Sequence, residues 1–197
     1  MSKGLLYIHG KNGSPTEAEH YRELFPGYEV VGLDYAAETP WEAQAEFSRK
    51  FDLFKARHDH VEVAANSIGA YFAMHSLSGK TIEKAYFISP IVDMEKLIGD
   101  MMTMAGVSEA QLIEKGRIET SFGETLSWEY LSWVRDHPVT WTIPTAILCG
   151  DNDLLQPLQS IRDLADRIGA ELTVMEGGEH WFHTKEQMAF LDSWITK

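Results

Sequence analysis

Short apolar runs alternate with longer stretches of helical spacing along this 197-residue chain, and this alternation constrains its fold most strongly. Nearly continuous apolar runs are typical of strands buried on both faces of a parallel sheet. Strands are predicted at 4–9, 28–34, 60–66, 84–90, 145–150 and 171–176. Helices are predicted at 14–25, 40–57, 68–77, 156–168 and 181–196. The pattern predicts an α/β fold whose helices cover both faces of a parallel sheet.

Residues 91–142 interrupt this alternation, because no clear strand pattern appears between the fourth and fifth predicted strands. The segment is rich in Met and Trp. We interpret it as two or three short helices that form a small helical cap. The prediction is a single domain over 1–197 with a cap insertion at about 91–142.

The composition excludes several classes of function. The formal net charge is −13 and the basic residues are scattered, so nucleic-acid binding and adhesion to anionic membranes are not expected. One cysteine, Cys149, supports neither a disulfide framework nor a zinc cluster. No segment approaches the roughly 18 apolar residues of a membrane helix, and the first residues lack the pattern of a signal peptide. We therefore expect a soluble cytoplasmic protein.

A serine stands at the join between the third predicted strand and the helix that follows it. The residues there are Ala65-Asn66-Ser67-Ile68-Gly69. A tight turn from strand to helix lifts one side chain clear of the sheet, and its neighbours must be small. Ser67 is therefore a candidate nucleophile. A serine at a helix start is also a common N-cap, and these five residues alone leave both interpretations open.

Two later loops could supply the groups that a serine nucleophile needs, a histidine base and an orienting carboxylate. "CGDNDLLQP" follows the fifth predicted strand and contains Asp151 and Asp153. "GGEHWFH" follows the sixth and contains His180 and His183. Both loops lie at carboxyl ends of strands, where open α/β sheets build their sites. Ser67 is predicted at the same edge.

Four segments together resemble the α/β-hydrolase superfamily, in particular its small serine hydrolases and esterases. The resemblance covers about 3–90 and 138–197, and the four segments occur in the order of that family. "YIHGKNGSP" is similar to the oxyanion loop, "ANSIGA" to the nucleophile elbow, "IPTAILCGDNDLLQP" to the acid segment and "GGEHWF" to the histidine loop. The resemblance implies the α/β-hydrolase fold, a three-layer αβα arrangement with a six-stranded parallel sheet in the order 2-1-3-4-5-6.

The resemblance also implies roles for the candidate residues. Ser67 would be the nucleophile. His180 would be the general base and is preferred to His183, because the family's histidine comes just after the glycines. Asp153 would be the acid and is preferred to Asp151, because it fits the family's Gly-x-x-Asp spacing.

Backbone amides would form the oxyanion hole by the same resemblance, those of Lys11 and Ile68, while His9 would organise the loop. An apolar substrate pocket is a further expectation for the cap, since methionine side chains adapt to varied apolar groups. The alternative is that these residues form the cap's own small core. The pocket candidates are Met101, Met104, Trp128 and Trp133.

The resulting functional prediction is a carboxylesterase that acts on small or medium apolar acyl esters through an acyl-enzyme. The expected partner is a small-molecule ester, and no metal or organic cofactor is required by this chemistry. Thioesterases, amidases and peptidases use the same three groups, so they stay open as alternatives. A cofactor-free haloperoxidase side activity and a non-catalytic small-molecule binding module also stay open, as does the oligomeric state.

Overall fold

Six parallel strands form the main sheet of this structure, a computed structural model that describes residues 1–197. Its strands are β1 Lys3–Ile8, β2 Tyr28–Gly32, β3 His60–Asn66, β4 Lys84–Ile88, β7 Thr145–Gly150 and β8 Glu171–Met175. The sheet order is β2-β1-β3-β4-β7-β8, and every neighbouring pair is parallel. Two further strands, β5 (Arg117–Glu119) and β6 (Thr125–Ser127), pair separately and antiparallel. The predicted six-stranded parallel sheet is confirmed.

The predicted order 2-1-3-4-5-6 is wrong in its last two numbers, because the hairpin of β5 and β6 was not predicted. Counted along the chain, the strands at the far edge are the seventh and eighth. Each hairpin strand has only three residues. A run of that length is too short to show the alternation of apolar and polar residues by which a strand is recognised.

Helices cover both faces of the main sheet, which gives three layers. One face carries Tyr7, Ala64 and Tyr86, which pack in one apolar cluster with the 3-10 helix Pro15–Tyr21 and the last α-helix. Two adjoining helices, α1 (Pro40–Lys55) and α2 (Ile68–Leu77), contact β1. None of the helices is long and apolar enough to cross a membrane. They are the 3-10 helix Pro15–Tyr21, α1 Pro40–Lys55, α2 Ile68–Leu77, α3 Met94–Ala105, α4 Glu109–Lys115, α5 Trp128–Asp136, α6 Leu158–Ile168 and α7 Lys185–Ile195.

Two predicted helices differ from the structure in type or length. The segment predicted as a helix over 14–25 is a 3-10 helix over Pro15–Tyr21, with short-range bonds such as that from the Glu17 amide to the Ser14 carbonyl at 3.1 Å. The helix predicted from 181 begins at Lys185. The Thr184 side chain accepts a hydrogen bond from the Gln187 amide and fixes that start.

The contacts divide the chain into two units, residues 1–92 with 140–197, and residues 93–139. The second unit, here called the insertion, contains α3, α4 and α5 together with the hairpin. The Arg135 guanidinium joins its helices, because it donates two hydrogen bonds to Glu109 at 2.8 and 2.9 Å and one to Glu95 at 2.7 Å. The insertion therefore holds the expected short helices and a hairpin that was not expected.

Candidate active site

The turn between β3 and α2 holds Ser67 in a backbone conformation that L-residues rarely adopt. Its φ is 52° and its ψ is −124°. The Ser67 amide donates to the Ile88 carbonyl at 3.0 Å, and the Ser67 carbonyl accepts from the Ile91 amide at 3.1 Å. The Ser67 side chain makes no capping hydrogen bond to α2. The N-cap interpretation therefore lacks the side-chain bond that defines a serine cap.

The neighbours of Ser67 are small because the surrounding backbone approaches closely. A Cβ atom on Gly69 would lie 2.3 Å from the His9 carbonyl oxygen. Ala65, two residues before Ser67, has no exposed surface. The tight turn needs these small residues, as the sequence pattern indicated.

A chain of two hydrogen bonds connects Ser67, His180 and Asp153. Ser67 Oγ lies 2.8 Å from His180 Nε2, and His180 Nδ1 lies 2.7 Å from Asp153 Oδ2. A carboxylate can only accept, so Nδ1 carries a proton and donates it to Asp153. In the neutral ring Nε2 is then an acceptor, and the Ser67 hydroxyl donates to it. This is the tautomer in which an imidazole can take a proton from a serine.

The Asp153 carboxylate is enclosed, while the imidazole is accessible. The Asp153 side chain is 1% exposed and that of His180 is 19% exposed. The second carboxylate oxygen, Oδ1, accepts from the Leu155 amide at 2.8 Å and the Gln156 amide at 3.2 Å. These amides fix the carboxylate, which in turn fixes the orientation of the imidazole.

The two rival residues of the sequence analysis have other partners. Asp151 Oδ1 accepts from the Gly177 amide at 2.7 Å. His183 Nδ1 donates to the Trp181 carbonyl at 2.7 Å. No group of three or more His, Cys, Asp or Glu side chains is placed to hold a metal ion. The structure thus brings His180 and Asp153 to Ser67, and the rivals bond within or between the loops.

Two loops that carry the acid and the histidine are joined by their backbones; we call them the acid loop (151–157) and the histidine loop (176–184). The Asn152 amide donates to the Gly178 carbonyl at 2.9 Å. The same Gly178 packs on Gly150, where a Cβ atom would lie 2.0 Å from its carbonyl oxygen. The distance between Asp153 and His180 is therefore set by rigid backbone contacts.

The two amides predicted to form an oxyanion hole lie in separate segments near Ser67. Ile68 is the first residue of α2, where helix amides have no partner within the helix. Lys11 lies in a turn closed by the Gly13 amide, which donates to the Gly10 carbonyl at 3.1 Å. His9 Nδ1 donates to the same carbonyl at 2.8 Å, and its ring stacks on Tyr35 with centroids 4.3 Å apart. His9 thus holds the turn that contains Lys11.

A second contact, made just after this turn, was not predicted from the sequence. The Tyr7 hydroxyl donates to Glu17 Oε2 at 2.6 Å, and Glu17 Oε1 accepts from the Ser14 amide at 3.0 Å. Tyr7 of β1 is thereby connected through Glu17 to Ser14, near the end of the candidate oxyanion loop. Burial raises the pKa of the Tyr7 phenol. The Ser14-x-x-Glu17 spacing of a capping box signals the bond between Glu17 and Ser14, but it does not signal the bond between Glu17 and Tyr7.

The pocket candidates of the insertion lie on two of its helices. Met101 and Met104 are on α3, where Met104 is exposed. The buried methionine of this part of α3 is Met102, which was not a candidate. Trp128 and Trp133 are on α5, with Trp133 stacked on the His137 ring at 4.3 Å. The Arg135 guanidinium lies 6.0 Å from the centroid of Trp128. Their role in a substrate pocket stays a prediction.

Comparison with solved structures identifies the fold. The esterase Est1E from Butyrivibrio proteoclasticus has a TM-score of 0.79 at 16% identity, over 99% of this chain and 86% of that one. The mouse α/β-hydrolase domain-containing protein 10 has a TM-score of 0.69 at 18% identity, with coverages of 98% and 87%. The thioesterase domain of the curacin biosynthetic pathway has a TM-score of 0.60 at 16% identity, with coverages of 100% and 92%. No protein-family model and no curated protein matches the chain. The chain has the α/β-hydrolase fold.

Proposed function

We propose that this protein is a serine hydrolase, and more specifically a carboxylesterase for small or medium apolar acyl esters. The observation that carries the proposal is the bonded series from Ser67 Oγ through His180 to the buried Asp153 carboxylate, at 2.8 and 2.7 Å. The strained backbone of Ser67 adds support, because strain of this kind concentrates at functional sites. A serine with only a structural role needs neither feature.

The reaction begins with acyl transfer to Ser67. Its Oγ attacks the ester carbonyl carbon while His180 Nε2 takes the hydroxyl proton. The carbonyl oxygen becomes an oxyanion, which the amides of Lys11 and Ile68 stabilise. The bond between the carbonyl carbon and the leaving oxygen then breaks, and His180 returns its proton to that oxygen as the alcohol departs. Asp153 stabilises the imidazolium that exists between these two proton transfers.

Water completes the cycle by the same route. His180 takes a proton from a water molecule while the water oxygen attacks the acyl carbon. The bond between that carbon and Ser67 Oγ then breaks, and His180 returns the proton to Oγ as the acid leaves. Apart from the water molecule, these steps require only the three side chains and the two amides. A cytoplasmic location stays a prediction.

A thioesterase is the second candidate, and a named relative favours it, since one similar structure is a thioesterase domain. Butyryl derivatives with an alcohol, a thiol or an aniline leaving group separate these reactions, because the acyl group and the deacylation step are shared. A carboxylesterase should have its highest kcat/KM on the alcohol ester. Fastest turnover of the thioester or the anilide would redirect the assignment to a thioesterase or an amidase.

The first test is intact-mass labelling with a fluorophosphonate probe, which requires no choice of substrate. We expect one adduct on the wild-type protein, mapped to Ser67, and none on Ser67→Ala with an unchanged melting temperature. Ser108→Ala is the matched control, because Ser108 caps α4 through its side chain, so that variant should label fully and lose stability. A folded wild-type protein that forms no adduct would contradict the proposal and favour a binding module.

A further inference from the structure

Three large apolar side chains are exposed on the loops that carry Asp153 and His180. Leu154 is 95% exposed, Leu155 is 43% exposed and Trp181 is 68% exposed. Side chains of this size gain substantial free energy from burial, so exposed ones on two loops that are joined through their backbones indicate a binding surface. Leu154 directly follows the proposed acid, and Trp181 directly follows the proposed base.

The backbone beneath the two leucines is held from both sides. Asp153 Oδ1 accepts from the Leu155 amide at 2.8 Å, which closes a tight turn around Leu154. Gln156 is fully buried, and its Oε1 accepts from the Val92 amide at 2.8 Å. The exposure of Leu154 is thus set by a rigid turn.

The Trp181 ring is also held in place although it is exposed. It stacks on the His183 ring with centroids 4.6 Å apart and planes 21° apart. His183 Nδ1 donates to the Trp181 carbonyl at 2.7 Å and lies 3.6 Å from Glu179 Oε2. An apolar surface that is ordered before binding loses little conformational entropy when a ligand covers it.

The proton transfer determines which part of a substrate meets this surface. His180 Nε2 must reach the leaving oxygen at about 3 Å to protonate it. The leaving group therefore lies on the imidazole side of the reacting carbon, whereas the oxyanion faces the amides of Lys11 and Ile68. Trp181 is the next residue after His180, and Leu154 is the next residue after Asp153, which bonds the same imidazole. We therefore expect these side chains to border the leaving group.

We propose, on the basis of the proposed function, that Leu154, Leu155 and Trp181 form the binding surface for the leaving group and select neutral apolar alcohols, with aromatic alcohols preferred. The flat Trp181 ring suits an aromatic partner, which it can meet by offset stacking. The formal net charge of −13 disfavours polyanionic leaving groups such as nucleotide thiols. The surface thus specifies the alcohol, and the acyl group is bound elsewhere.

The test uses butyrate esters of methanol, n-hexanol, benzyl alcohol and 2-naphthylmethanol. For the wild-type protein we expect kcat/KM on the benzyl ester to exceed that on the methyl ester by about tenfold or more. Trp181→Ala and Leu154→Ser should remove most of that ratio while the methyl ester changes less than threefold. Leu53→Ala is the matched control, because Leu53 is an exposed leucine on α1 and should leave the ratio unchanged.

Deacylation provides the second readout, because the alcohol has left before that step. The single-turnover hydrolysis rate of the butyryl-enzyme should be the same in the wild-type protein, Trp181→Ala and Leu154→Ser. A wild-type protein without preference for apolar alcohols overturns the inference, as does a preference that survives both substitutions. Slower deacylation in these variants also overturns it, since the surface would then contact the acyl group. Absence of both ester turnover and a fluorophosphonate adduct would instead reject the proposed function itself.

Discussion

The Tyr7 hydroxyl donates a 2.6 Å hydrogen bond to Glu17 Oε2, and this bond connects β1 with the segment that follows the candidate oxyanion loop. Tyr7→Phe removes the bond and leaves the ring in the core. The bond supports the loop that carries the Lys11 amide, and that amide is proposed to act on the transition state. We therefore expect kcat for p-nitrophenyl butyrate to fall about fivefold to tenfold with little change in KM. Stability should fall by about 1 kcal/mol.

Tyr21→Phe is the matched control for this substitution, because Tyr21 packs beside Tyr7 with ring centroids 5.0 Å apart. Its kcat should stay within twofold of wild type. Glu17→Gln retains one carbonyl oxygen and should lose less activity than Glu17→Ala. Equal losses of kcat in both tyrosine variants, or a rise in KM alone, would show that Tyr7 has only a packing role.

The Asp153 carboxylate is expected to determine which nitrogen of His180 carries the proton. In Asp153→Asn the amide group can donate to Nδ1, which moves the ring proton to Nε2 and prevents that nitrogen from accepting the Ser67 proton. We expect kcat to fall about 10³- to 10⁴-fold while the protein stays folded. Steady-state kinetics with p-nitrophenyl butyrate and a thermal melt measure both quantities.

Asp151→Asn is the control, since its amide oxygen can still accept from the Gly177 amide as the Asp151 carboxylate does. Its kcat should change less than tenfold. If Asp151→Asn were the more damaging of the two substitutions, the acid would have to be reassigned to Asp151.

The sequence was sufficient to predict the main sheet because its strands are buried, and burial leaves a visible apolar run. β7 is buried along its whole length, and its predicted bounds 145–150 agree with the structure. The hairpin of β5 and β6 could not be predicted, because three-residue strands carry no readable period. The strand order followed from the resemblance, apart from the numbering that this hairpin changes.

The candidate site was predictable to a similar extent and for a different reason. Ser67 directly follows β3, and Asp153 and His180 lie in the loops after β7 and β8, so local patterns locate all three at one edge of the sheet. The bond between Tyr7 and Glu17 joins a strand interior to a 3-10 helix, and no pattern within either segment encodes the pairing. Likewise, the fixed orientation of the exposed Trp181 depends on its stacking with His183, which a sequence does not show.

The close approach of Gly69 to the His9 carbonyl predicts a loss of stability on adding one methyl group. In Gly69→Ala the new Cβ atom would lie 2.3 Å from that oxygen, so the backbone must move. We expect the free energy of unfolding to fall by about 1–3 kcal/mol and labelling of Ser67 to slow. Gly99→Ala on α3 is the control, because apart from the chain neighbours of Gly99 and the nearby backbone of its own helix, no atom lies within 4 Å of the new methyl group.

Gly99→Ala should raise the free energy of unfolding by about 0.5–1 kcal/mol, as alanine favours helix interiors. Urea unfolding at pH 7 measures both variants. A Gly69→Ala protein as stable as wild type would mean that the turn around Ser67 relaxes freely, contrary to its close packing.

The buried thiol of Cys149 is expected to make the fold sensitive to alkaline pH. Burial, with a smaller contribution from the Asp153 carboxylate, raises the pKa of this thiol from 9.0 to about 11. Between these two pH values the unfolded thiol has lost its proton and the folded one keeps it, so stability falls as pH rises.

Cys149→Ala should be less stable than wild type at pH 7, with a smaller fall in stability between pH 9 and 11. Buried tyrosines such as Tyr71, whose pKa is raised by burial, affect both proteins equally, so the difference isolates the thiol. Unfolding curves with parallel pH dependences in the two proteins would show that the thiol titrates in the folded state as it does in the unfolded one.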